Sequence, residues 1–175
     1  MKTNATLMGW IFGALLALAP ASALAAKMND SELANLLMTV NSGEMEAGRV
    51  ATRRAQSSDV KAYADKMISG HETNSTAIEG LSQLTGIDPQ KTDRSEALKA
   101  RMVARAKELE AKSRTAFDKA YIAEQIKAHQ ETLALINKEL LPQASNPEFR
   151  TFLERTRQTV TAHLEEARQL QLKIK

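Results

Sequence analysis

The sequence predicts an all-α protein, a four-helix bundle with one short extra helix on the connection between its two hairpins. Three observations carry that prediction. Apolar residues recur at spacings of three and four along four long segments. No segment alternates with the two-residue period of a strand. The mature core is also poor in aromatic residues, with only Tyr63, Phe117, Tyr121, Phe149 and Phe152 beside many Leu, Ile, Val, Ala and Met.

The first helix is expected from about Asp30 to Gln56, capped by Asn29 or Asp30. Its stripe is Leu33, Leu37, Val40, Glu44, Ala47 and Ala51. Ser57-Ser58-Asp59 breaks the chain and caps the next helix. That second helix runs to about Thr85, with Gly86 as its stop. Its stripe is Val60, Ala64, Met67, His71, Asn74, Ile78 and Leu81. Residues 86–92 read as a loop. A shorter amphipathic helix follows over about 94–111, with Leu98, Met102, Ala106 and Leu109 inward. Ser113 either restarts the helix or lies within a continuous one. The next long helix carries Ile122, Ile126, His129, Leu133, Ile136 and Leu140, and Pro142 is expected to end it. Asn146-Pro147-Glu148 supplies a cap, a first-turn proline and an acid near the positive dipole end. The last helix runs to the C-terminus through Phe149, Phe152, Thr156, Val160, His163, Ala167 and Leu170.

The N-terminus has the pattern of an export signal. Lys2 precedes an apolar run from Leu7 to Ala19, which is short for a membrane span. Ala23-Leu24-Ala25 then matches a small-residue cleavage site. Residues 1–25 are therefore expected to be a cleaved signal peptide, and 26–175 a single helical domain, periplasmic or secreted. The chain contains no cysteine, so disulfides, thiolate metal ligands, thiol nucleophiles and a lipoprotein anchor are all excluded. The net charge of +3 is interspersed, with no basic block beyond Arg53-Arg54 and no stacking aromatic beside it. That argues against a nucleic-acid partner. An envelope protein or a membrane surface remains the candidate partner.

All three histidines, His71, His129 and His163, fall on apolar stripes of different helices, and Glu44 falls on a fourth. Burying such groups without partners is costly. Counting from the hairpin turns at 1.5 Å per residue, Glu44 and His71 stand at nearly one height. His129 and His163 differ by only about 4–5 Å by the same rise. The long connection leaves the relative height of the two hairpins open. Gly43, Gly48 and Gly70 crowd around Glu44 and His71, where glycine costs about 1 kcal/mol against alanine. They signal either a site that needs space or close helix packing.

Several segments together resemble a known family. They are Ser42-Gly-Glu-Met-Glu-Ala-Gly-Arg-Val-Ala51, Ser57-Ser-Asp-Val-Lys-Ala-Tyr-Ala-Asp-Lys-Met67 with His71, and Ala116-Phe-Asp-Lys-Ala-Tyr121 followed by His129 and a late His163. This pattern resembles the exported bacterial domain-of-unknown-function family numbered 4142, often labelled putative outer membrane protein. The resemblance covers nearly the whole mature chain and implies a ferritin-like bundle in the envelope. It implies no activity. The family pattern usually has Asp before the first histidine, where this chain has Gly70.

A dinuclear carboxylate centre needs Glu-x-x-His on two helices. The residues three before the histidines are Ile68, Ile126 and Val160, so that centre does not fit. A mononuclear site of Glu44, His71, His129 and His163 remains chemically reasonable for zinc, copper, iron or nickel. Glu46 points off the stripe, and Met67, a soft atom one turn before His71, reads first as core filler. The plainer reading of the histidines is a hydrogen-bonded core completed by Asp118, Tyr121 or Gln125. No hydrolytic nucleophile or paired carboxylate stands out. The expected role is therefore a non-enzymatic, stress-related binding module of the periplasm or envelope, with a core transition-metal ion as the alternative.

Overall fold

The computed structural model describes residues 27–174. The expected leader lies outside them. Among the described residues the regular structure is entirely helical, with no strand. Helix α1 spans Asp30–Arg54, α2 Ser58–Thr85, α3 Asp93–Glu110, α4 Arg114–Leu135, α5 Leu141–Gln143 and α6 Pro147–Lys173. A π-helical turn, Ile136–Leu140, joins α4 to α5 without a break. The pairs α1–α2 and α4–α6 form two hairpins that pack into a bundle, and α3 lies along the outside of α1. No described helix is long and apolar enough to cross a membrane.

The caps explain the boundaries. Asn29 and Glu32 form a reciprocal capping box at the start of α1, and Thr92 with Ser95 does the same for α3. Gly86 stops α2 in the left-handed conformation (φ 74°), which glycine adopts without strain. Helix α1 ends at Arg54, two residues earlier than the periodicity implies. The amides of Gln56 and Ser57 instead donate to the Asp118 carboxylate at 3.1 and 2.8 Å. Asp118 therefore ties the α1–α2 turn to α4 and is not available to a histidine. Pro142 does not end its helix as expected. It lacks an N–H for the carbonyl four residues back, and its ring crowds that carbonyl. The chain widens by one residue there, with the Leu141 amide bonding to Ile136 O, and continues to Gln143.

Two apolar layers fill the bundle. One, near the α1–α2 turn, contains Tyr63, Met67, Phe117, Tyr121 and Ile122. The other, at the opposite end, contains Leu33, Leu37, Ile78, Ile136, Phe149 and Leu153. Between them lies a buried polar layer of Asn41, Glu44, His71, Gln125, His129, Thr132, Thr156 and His163. Two glycines allow the close approaches that shape this layer. A Cβ at Gly43 would overlap the Met102 side chain of α3, and one at Gly48 would stand 2.7 Å from Ile68 of α2.

Asp118→Ala removes both turn contacts, and by capping energetics it should cost about 1 kcal/mol. Urea denaturation should show a lower midpoint with unchanged helical content in the native baseline. An unchanged midpoint would contradict the assigned role of Asp118.

Candidate metal centre

Helix α2 presents His71, α4 presents His129 and α6 presents His163, and all three are buried. Their ring centroids form a nearly equilateral triangle with sides of 5.6, 5.7 and 5.8 Å. Each ring offers one nitrogen to a common point, and these nitrogens lie within 4.8 Å of one another.

Two of the rings are pinned. His129 Nδ1 lies 2.9 Å from the backbone oxygen of Gln125. A carbonyl only accepts, so Nδ1 carries a proton, which leaves Nε2 as the nitrogen able to bind a metal. His71 Nδ1 likewise donates to Asn41 Oδ1 at 3.0 Å. Asn41 Nδ2 donates to Asn74 Oδ1, and Asn74 Nδ2 donates to Thr156 Oγ1, each at 2.9 Å. As oriented, this chain of amides across α1, α2 and α6 holds the His71 ring through Asn41 and pairs with the tautomer protonated on Nδ1. The His163 ring has no such anchor. Tyr63 holds only its backbone, donating to His163 O at 3.2 Å. Its outer edge faces Gly70, where a Cβ would stand 3.1 Å from Cε1 and 3.4 Å from Nε2.

Each ring keeps one buried nitrogen without a hydrogen-bond partner: His71 Nε2, His129 Nε2 and His163 Nδ1. Burial, and then the neighbouring His129 and His163, push the His71 pKa down from 6.5 to about 3. Burial, then His129 and Lys66, push His163 down to about 4, against the opposing pull of Glu166. Both rings are therefore neutral near pH 7, the state in which imidazole binds metal.

Glu44 is buried but stands apart from the triangle. Its carboxylate accepts from Gln125 Nε2 at 2.8 Å, and the Gln125 backbone oxygen in turn holds His129. Glu44 also lines a cleft of about 490 Å³ between α1, α3 and α4, together with Leu98, Met102 and Arg105. Glu46 is half-exposed and pairs with Arg49. Met67 is fully buried in the apolar layer next to the histidines. Tyr121 is buried with its hydroxyl unpartnered, and burial followed by Glu44 raises its pKa well above the usual value. Sequence periodicity did not single out Asn41, which neighbours Val40 on the stripe. Asn74 and Thr156 did lie on apolar stripes, and their burial alone hinted at a polar layer.

The fold and the site together define a class: an all-α bundle with a buried cluster of three histidines. The chain matches the family described as Domain of unknown function (DUF4142) over residues 15–170 and belongs to it. No curated protein and no solved structure matches it.

The depressed histidine pKa values set a pH dependence. Below pH 6.5 the unfolded chain takes up protons that the folded core refuses, so the metal-free protein loses stability as pH falls. The loss for His71 alone is roughly 1.4 kcal/mol per pH unit between 6.5 and about 3. The His163 contribution has the same sign and continues down to about pH 4. Urea denaturation in chelator between pH 7 and 5 should show this slope, and His71→Leu should reduce it by one proton's worth. A wild-type slope of zero over that range would contradict the assignment of neutral buried rings.

Proposed function

We propose that this chain is an exported helical-bundle protein that holds one transition-metal ion between His71, His129 and His163. The observation that carries this reading is the convergence of three buried, unpartnered ring nitrogens. With Nδ1 of His71 and His129 donating, the inward nitrogen of each is the one that can offer a lone pair. The His163 ring is free to put its proton on Nε2, toward Gly70, so all three inward nitrogens can bind one cation at once. Leaving them unpaired would cost about 1–3 kcal/mol each.

The donor set is neutral imidazole without thiolate or direct carboxylate, which suits zinc, copper, nickel or iron. In this reading Asn41 and the Gln125 carbonyl orient two ligands, and Glu44 holds the Gln125 side chain. The role in this reading is to hold the ion. Export rests on Lys2, the apolar run from Leu7 to Ala19 and the Ala23-Leu24-Ala25 site. In this reading the protein works in the periplasm or outside the cell.

Elemental analysis of untagged protein purified from the periplasm tests the proposal, beside the double variant His71→Ala/His129→Ala. Near-stoichiometric metal in the wild type and its loss in the variant are expected, with a thermal shift on adding the ion to the wild type only. Absence of metal in both, with no thermal shift, would overturn the proposal. The histidines would then be a core network in a metal-free envelope binding module.

A further inference from the structure

A small void of about 10 Å³ lies against the His71 and His163 rings, a size that admits one water-sized group. Thr132, Thr156 and Thr159 contribute its polar wall, and Gly70 forms its edge. Thr159 is exposed and Gly70 half-buried, so the void reaches solvent along the α2–α6 seam. A side chain at residue 70 would close this way in, since its Cβ would press on the His163 ring.

The hydroxyls on the wall are poised for a ligand. Thr156 Oγ1 accepts from Asn74, and its own hydrogen has no acceptor among the described residues. Thr132 Oγ1 donates to Ala128 O at 2.8 Å, which leaves its lone pairs free. A donor and an acceptor thus flank a water-sized space beside the rings of two of the three ligands, His71 and His163. Structural metal sites are closed by four protein ligands, whereas a site with three keeps an open position.

We infer that the ion held by His71, His129 and His163 keeps a fourth, exchangeable position facing Thr132 and Thr156, which takes water or a narrow small anion through the opening at Gly70. This rests on the ion-binding reading above. The void takes one water-sized end of a ligand, so a rod-shaped anion fits only with its far end in the opening at Gly70, and bulkier ligands are excluded.

The full chain loaded with Co²⁺ provides the test, because the visible bands of the ion report its coordination. Azide titration should change these bands saturably. Thr156→Val removes the donor and should weaken azide by about fivefold, the value of one hydrogen bond. Thr156→Ser restores the hydroxyl and should bind azide like the wild type, which separates the donor's effect from general disturbance of the fold. Co²⁺ bands that azide leaves unchanged, or equal azide affinity in Thr156→Val, would overturn the inference while the ion site stands. Failure of the wild type to take up Co²⁺ would overturn the ion-binding reading and this inference with it.

Discussion

The structure turns on a polar layer set inside an apolar bundle. Eight polar side chains between α1, α2, α4 and α6 are sealed above and below by hydrophobic residues. In a low-dielectric interior every donor and acceptor in such a layer must be matched, and a half-matched layer is worse than an apolar one. The amide chain from Asn41 to Thr156 and the Gln125 contacts match the outer atoms. Beside Gln125 Oε1, what they leave over in the layer is the three inward histidine nitrogens, gathered within 4.8 Å of one another. Accumulating the deficit at a single convergent site is what gives the layer its chemical character.

The two hairpins contribute unequally to that point. His71 and His129 are locked by Nδ1–H bonds to neighbouring oxygens, while His163 sits against the bare backbone of Gly70. The rigid side of the site is therefore built from α1, α2 and α4, and the permissive side lies on the α2–α6 seam. Close packing on the far side, where Gly43 receives Met102 and Gly48 receives Ile68, holds α1 against both neighbours and keeps Asn41 and Glu44 inside.

Much of this was legible in the sequence. The helices, the Asn29, Gly86 and Asn146 signals and the placement of every histidine on an inward face follow from periodicity and capping chemistry. The turn counts put Glu44 beside His71 in height. They could not relate one hairpin to the other, because the connection through α3 has no fixed geometry, so the triangle itself needed the fold. Nor could periodicity separate Glu44 from the histidines. Its stripe position buries it, but its carboxylate meets the Gln125 amide, a contact that depends on how α1 and α4 cross. Asp118 was read as a candidate partner of His129 from its place on the same helix. The structure gives it to the α1–α2 turn, whose free amides compete for the same carboxylate. Pro142 was read as a terminator, which ignores the option of widening a turn to pass it.

The central claim is that three buried imidazoles in one bundle layer share a cation. Anomalous diffraction from crystals of zinc-loaded protein, recorded on both sides of the zinc edge, tests it most directly. The account predicts a single anomalous peak inside the triangle, about 2.0–2.1 Å from one ring nitrogen each of His71, His129 and His163. A triangle without anomalous signal, with the rings hydrogen-bonded to ordered water or to one another, would contradict it.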